Sequence, residues 1–139
     1  MKINPYLSFN GNCREAFEFY AKCLGGRIAF IMTYGESPMA AQTPPDQLGR
    51  VMHVTLTVGD QILAGADAPP QFFSKTHGMC VSLDVATPAE AERIFHELSE
   101  GGEVQMPIQE TFWAQRFAMF RDRFGTPWMI NCGKPMGSA

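Results

Sequence analysis

The apolar pattern of residues 7–24 returns 74 positions later. Leu7 and Phe9 correspond to Val81 and Leu83, and Phe17, Tyr20 and Leu24 correspond to Ala91, Ile94 and Leu98, all at that one offset. A glycine pair follows each copy: Gly25-Gly26 and, after two inserted residues, Gly101-Gly102. Later, Val58-Gly59 returns as Phe124-Gly125, ahead of the last apolar run of each half. A duplication of this kind constrains the fold more than composition does. Each half must be one supersecondary unit, and a unit this small cannot bury its sheet alone.

Each half reads as a strand, a helix and three further strands. From Ile3 to Phe9 the residues alternate, with Ile3, Pro5, Leu7 and Phe9 on one face and Asn4, Tyr6 and Ser8 on the other. Asn10-Gly11-Asn12 is a turn with a helix N-cap, and Ala16, Phe17, Tyr20 and Leu24 follow at helical spacing until Gly25-Gly26 stops the helix. Residues 27–34 form a strand, 35–50 a loop with Pro38, Pro44 and Pro45, and 51–58 with 61–66 a hairpin about Gly59-Asp60. In the second half, 79–85 alternates with Cys80, Ser82 and Asp84 on the polar face. Thr87-Pro88 opens a helix striped by Ala91, Ile94, Phe95 and Leu98. Strands at 103–109, 116–123 and 127–132 complete it. The expected fold is α+β: two tandem βαβββ modules, residues 1–68 and 69–139, forming a curved eight-stranded mixed sheet. The helices cover its convex face and the concave face is left open.

The 139 residues are 45% hydrophobic and 18% charged, enough for an ordinary core. A net charge of −3 gives no basic face for nucleic acid and no attraction to anionic membrane. No apolar run approaches the ~20 residues of a membrane span, and no apolar stretch follows Lys2 as in a secretory leader. A cytoplasmic location is expected. Cys13, Cys23, Cys80 and Cys132 contain no CxxC pair, which removes zinc-ribbon and thioredoxin readings and leaves reduced thiols as the expectation.

Three groups of residues carry a family resemblance over residues 3–132. They are Asn4-Pro5-Tyr6-Leu7-x-Phe9-x-Gly11 with Glu15-Ala16-Phe17-x-Phe19-Tyr20 and Gly25-Gly26; Met52-His53-Val54-x-Leu56 with Gly59-Asp60; and Asp122-x-Phe124-Gly125-x-x-Trp128. Together they resemble the PhnB-like branch of the vicinal oxygen chelate superfamily. That superfamily includes glyoxalase I, extradiol dioxygenases, fosfomycin-modifying enzymes and bleomycin-sequestering proteins. The resemblance implies a homodimer with each site between modules. Where the branch commonly has Trp-Gly and a later aromatic-Gly, this chain has Trp113-Ala114 and Phe117-Ala118. The branch also carries a ubiquinone-pathway methyltransferase label, but no glycine-rich loop between a strand and a helix is present to carry an adenosyl cofactor. The superfamily's metalloenzymes hold a divalent ion with His and Glu from the first and last strand of each module. The matching positions here are Asn4, Cys80, Leu63 or Gly65, and Met129, none of them imidazole or carboxylate.

By parity the concave face should carry Asn4, Tyr6, Ser8, Cys80, Ser82, Met129 and Asn131, with His53 and Thr55. This mix of amide, hydroxyl, thiol and aromatic groups suits an organic ligand. Phe112, Trp113 and Arg116 could rim it, Arg116 pairing with a carboxylate or phosphate on the ligand. The alternative for Phe112 and Trp113 is core or interface packing, and Trp128 should face the helix. His53 and Cys80 are the candidates for chemistry. Set against that are a hydrogen-bonded lining histidine and a buried neutral thiol. His77 and His96 read as solvent-facing, and Glu36, Asp67 and Glu110 as solvated loop carboxylates. The expectation is therefore a small organic ligand bound in a metal-free cavity, without cofactor, catalytic residue, nucleic acid or membrane partner. Two alternatives stand beside it. One is a lyase, isomerase or dioxygenase-type enzyme using a metal or His53 and Cys80. The other is an interaction module whose loop 35–50 plugs the cavity. Whether the modules pair within a chain or swap between chains stays open.

Overall fold

A computed structural model describes residues 1–135 of the chain. The first module runs β1 (Tyr6–Phe9), α1 (Cys13–Leu24), β2 (Arg27–Thr33), β3 (Val51–Val58) and β4 (Gln61–Asp67). The second runs β5 (Val81–Asp84), α2 (Pro88–Leu98), β6 (Glu103–Gln109), β7 (Ala114–Arg121) and β8 (Pro127–Gly133). Both have the βαβββ order that the repeat predicts. The strand order is β1-β4-β3-β2 in one and β5-β8-β7-β6 in the other, so the ladders make two sheets of four. In each, the first strand runs parallel to the last and the remaining pairs are antiparallel. The chain divides into two compact units between Lys75 and Thr76, so residues 69–75 go with the first module. Thr76 is tied to the second by its carbonyl, which accepts from Arg121 Nη2 at 3.1 Å.

Both first strands are shorter than the alternation suggests. β1 starts at Tyr6, leaving Ile3 89% exposed and Asn4 and Pro5 outside the strand. Pro5 lacks the N–H a ladder needs, and only its carbonyl takes part, accepting from Ala64 N at 3.2 Å. β5 starts at Val81, which leaves Met79 and Cys80 exposed ahead of it. The helices lie where their stripes place them. Ala16, Phe17 and Tyr20 are buried with Cys13 and Cys23, and Phe9 meets Phe17 edge-on with ring centroids 6.0 Å apart. In the second module Ala91, Ile94, Phe95 and Leu98 are buried, and Phe95 meets Phe120 at 5.5 Å. Burying a side chain of this size contributes roughly 1.5–3 kcal/mol. Thr87 caps α2 by accepting from Glu90 N, with Pro88 in the first turn, as the sequence predicts. Asn12 makes no such bond with its side chain, because another residue has taken the role at α1.

The repeated glycine pairs each do two jobs. Gly25 and Gly101 take positive φ, 68° and 76°, which turns the chain out of or after each helix. The second glycine then passes close under a strand. A Cβ on Gly26 would lie 2.6 Å from the Thr57 carbonyl, and one on Gly102 would overlap the Arg121 carbonyl.

Under the helices the two modules exchange large for small. Leu7 pairs with Gly65 in the β1–β4 ladder, and its counterpart Val81 pairs with Trp128 in β5–β8. On the helix side the matching residues are Phe17 and Ala91, both fully buried. A large helix residue sits over a glycine in one module, and an alanine accompanies a tryptophan in the other. A Cβ on Gly65 would lie 2.7 Å from the Leu7 carbonyl and 2.8 Å from Phe17 Cε1. Gly65→Ala is therefore expected to cost about 1–3 kcal/mol by overpacking. Urea unfolding followed by circular dichroism would measure it, and an unchanged midpoint would contradict this packing.

Candidate functional site

A single carboxylate organises the end of the first sheet. Asp67, the last residue of β4, is 1% exposed. Its Oδ1 accepts from Gly11 N at 2.7 Å and Cys13 N at 3.1 Å, and its Oδ2 accepts from Val51 N at 2.9 Å. It thus caps α1 in place of Asn12 and fixes the start of β3 beside it. The reading of Asp67 as a solvated loop carboxylate is overturned. Three backbone N–H groups compensate its desolvation. Burial first, and then the Asp67 charge, push the Cys13 thiol far above its usual range. Tyr34 O–H donates to the Asp67 carbonyl at 2.9 Å, and Arg50 Nη2 donates to Asn10 Oδ1 and the Ala68 carbonyl, both at 2.8 Å. The neck of loop 35–50 is closed by Tyr34 N to Arg50 O and Gly35 N to Leu48 O. The other two loop carboxylates are held locally. Glu36 accepts from Thr33 N and Oγ1, bonds that lower its pKa, and Glu110 pairs with Lys134 at 3.3 Å.

With the helix side and sheet end committed, each module keeps one sheet face away from its helix. In the first module that face carries Tyr6, Ser8, His53, Thr55, Phe30 and Met32, by the ladder registers Tyr6–Ala64, Ser8–Ala66, Thr55–Ala64 and Met32–His53. His53 is its centre. Tyr6 Oη lies 3.0 Å from His53 Nδ1, and Thr55 Oγ1 lies 3.1 Å from Nε2. The Tyr6 ring stacks on the imidazole at 5.7 Å and 25°, and the Phe30 ring lies 6.0 Å away on a tilt. Tyr6 nonetheless remains 55% exposed and Phe30 46%. Burial first, then Cys13 and Tyr34, hold the Tyr6 phenol above its usual range, so it stays protonated through neutral pH.

In the second module the open face carries Ser82, Asp84, Met106, Phe117, Met119, Met129 and Asn131. Met106, Met119 and Met129 lie opposite one another on three adjacent strands. Asn131 Nδ2 donates to Asp84 Oδ1 at 3.3 Å, which fixes the amide orientation, and Asn131 Oδ1 is buried with no partner among the described residues. Trp113 packs edge-on against Phe117 at 5.1 Å and Phe112 at 4.8 Å, itself 44% exposed.

Tyr6 and His53 come together on one face, with Ser8 on the same side. Ser82, Met129 and Asn131 lie on the other module's open face, with Trp113 beside Phe117. Asn4 and Cys80 lie outside the strands. Arg116, expected at a rim and free to meet an anion, is turned the other way. It shares the helix-side parity of Ala118 and Phe120, and its Nε donates to Glu92 Oε1 of α2 at 3.0 Å. Leu63 and Gly65 also face the helix, one residue out of the register expected for them. The open positions of β4 are Ile62, Ala64 and Ala66. Trp128 faces the helix as expected, and its Nε1 donates to the buried Asp122 at 2.8 Å. His77 and His96 are exposed. Ala114 and Ala118 are both fully buried. As metal donors, the open-face groups of the first and last strands are hydroxyl, amide and thioether with one carboxylate, Asp84. They do not match a His and Glu set, and among the described residues no three His, Cys, Asp or Glu side chains converge. Both His53 nitrogens are already engaged within its own module.

Residues 1–131 match the model of a protein family described as 3-demethylubiquinone-9 3-methyltransferase. The chain is 34% identical to protein YjdN of Escherichia coli K12, over 96% of this chain and 97% of that one. It is 46% identical to PA1353 from Pseudomonas aeruginosa, covering 97% and 99% of the two chains with a TM-score of 0.89. A PhnB protein from Bacillus cereus, bearing the same methyltransferase description, is 27% identical over 96% and 100%, with a TM-score of 0.81. The fosfomycin resistance protein FosX from Mesorhizobium loti, of the vicinal oxygen chelate superfamily, shares the fold alone: 9% identity over 96% and 92%, with a TM-score of 0.63.

Asp67→Ala strands three backbone donors and is expected to cost about 3 kcal/mol or more. Asp67→Asn keeps an acceptor for Gly11 and Cys13 and should cost less, as urea unfolding of the two variants would show. All four cysteines are free, and only Cys80 is exposed. Under native conditions one thiol per chain should react quickly with Ellman's reagent, and the other three only on unfolding.

Proposed function

The chain belongs to the PhnB-like family described as 3-demethylubiquinone-9 3-methyltransferase, with the vicinal oxygen chelate fold, and from that premise we propose that it binds a small, partly aromatic organic molecule on a sheet face without a metal ion. Tyr6 carries the reading. It is a large aromatic residue left half in solvent, yet pinned by its bond and stacking to His53. A side chain held in place before the ligand arrives loses little freedom on binding. Phe30 beside it supplies apolar area, and Ser8 and Thr55 supply polar contacts of the kind that orient a ligand. The open face of the second module, with Ser82, Met129, Asn131 and Trp113, offers comparable groups. Methionine thioethers adapt to irregular apolar shapes and make favourable contacts with aromatic rings.

The methyltransferase description does not fit the two strand-to-helix turns. At the first, Gly11 N and Cys13 N are taken by Asp67. At the second, Glu90 N bonds to Thr87 Oγ1 and Ala86 N to Glu90 Oε1. Neither turn keeps these N–H groups for an adenosyl cofactor's polar groups, so no step is derived through one.

The protein acts in this reading as a cytoplasmic homodimer with no nucleic acid or membrane partner. The four free cysteines suit a reducing compartment. Phe72 and Phe112, 75% and 89% exposed, supply apolar surface for self-association. No helix among the described residues is long and apolar enough to cross a membrane.

Titrating an aromatic fragment panel into the labelled protein in the presence of EDTA tests the proposal by NMR. Signals of Tyr6, His53 and Phe30 should shift saturably, and Tyr6→Ala should weaken binding about tenfold or more while leaving the fold intact. Affinity that EDTA abolishes and manganese restores would refute it.

A further inference from the structure

The Tyr6 hydroxyl can present either of two polarities to a ligand. A neutral imidazole offers one N–H donor and one acceptor, and a protonated one offers two donors. At His53 both nitrogens have hydroxyl partners, Tyr6 at Nδ1 and Thr55 at Nε2. A phenol is a stronger donor than an aliphatic alcohol because its proton is far more acidic. In the neutral ring, therefore, Tyr6 O–H donates to Nδ1, and Nε2–H donates to Thr55 Oγ1. The Tyr6 oxygen then shows only lone pairs to the open face. When His53 takes up a proton from solvent at Nδ1, that nitrogen becomes a donor. The Tyr6 oxygen must accept from it, and the phenolic proton turns outward.

We infer that His53 is a positioning residue that sets the polarity of Tyr6 toward the ligand: acceptor when the ring is neutral, donor when it is protonated. The inference rests on the ligand reading above and names the class that reading leaves open. At neutral His53 the face selects an aromatic molecule bearing a hydrogen-bond donor, such as a phenol or an indole. At protonated His53 it selects one bearing an acceptor, such as an aryl ketone.

Little else facing His53 could compete for this role. The same face carries Tyr6 and Ser8 from β1, Phe30 and Met32 from β2, Ala64 and Ala66 from β4, and Thr55 and Thr57 from His53's own strand. Among these only Tyr6 titrates. Arg27, which pairs with Thr57 at the start of β2, is the one charged residue of this face among the described strand positions. Tyr6 is also exposed enough for a ligand to touch its oxygen while the ring stays on the imidazole.

The test uses the full chain with ¹⁵N-labelled histidine. Above the His53 midpoint, NMR should show the proton on Nε2 and Nδ1 as a hydrogen-bonded acceptor. Below it both nitrogens should be protonated, with the Tyr6 ring shifts following the same midpoint. A neutral ring carrying its proton on Nδ1, or a ring that takes up no proton while the fold persists, would overturn the inference. Phenol and acetophenone are then titrated on both sides of the midpoint. Phenol should be preferred above it and acetophenone below it, the ratio changing about fivefold to tenfold. In His53→Gln the amide oxygen can accept from Tyr6 at every pH, so the ratio should stay at the wild-type high-pH value. Two probes that bind with a ratio indifferent to the midpoint would also overturn the inference. If neither probe binds, the ligand reading fails, and the tautomer measurement alone decides whether His53 sets the polarity of Tyr6.

Discussion

A carboxylate removed from water must be paid for by donors, and in the first module those donors are the backbone groups that most need an acceptor. Asp67 takes the N–H groups of Gly11, Cys13 and Val51, which belong to the turn into α1 and to the start of β3. The parallel β1–β4 ladder, the seat of the helix and the entry of β3 all meet at this residue. The second module uses a buried carboxylate elsewhere. Asp122 accepts from Phe124 N, Thr126 N and the Trp128 indole, fixing the β7–β8 turn and the largest core side chain. In both cases local backbone polarity is satisfied inside the module, and the open sheet face is spared that task.

That division explains how the halves stay alike in fold and differ in chemistry. Under the helices the repeat is kept by compensation, Phe17 over Gly65 against Ala91 with Trp128. The open faces are not bound by core packing and have diverged. At corresponding positions the first module has Ser8, Ala66, His53 and Met32, and the second has Ser82, Met129, Met119 and Met106. One face is built around an imidazole between aromatic rings, the other around a row of thioethers. The first face offers orientation-specific hydrogen bonding and the second adaptable apolar surface.

Much of this is legible in the residues. The 74-residue offset marks both modules, and the alternation of 3–9 and 79–85 and the two helical stripes mark the first strand and the helix of each, because burial on one side leaves a periodic trace. Tyr6, Ser8, Ser82, Met129 and Asn131 fall on open faces, as parity requires. Strand ends are less legible. Pro5 and the exposed Cys80 lie beyond ladders whose length depends on partners far along the chain. Arg116 reads as a rim cation until its parity is compared with Ala118 and Phe120. Asp67 reads as solvated because its three donors lie 16 to 56 positions away. Its one signal is its place at the end of an apolar strand, opposite a strand-to-helix turn.

The sequence by itself determined the duplication, the order of elements in each half and which side of each half's first strand and helix is apolar. These follow from local periodicity and from glycine's freedom at positive φ. Only the tertiary structure decided that Asp67 is a buried cap, that Arg116 belongs to Glu92 and that Tyr6 is locked to His53. Hydrogen bonds and ion pairs between distant residues depend on ladder register and on angles of approach, and neither leaves a mark in the order of residues along the chain.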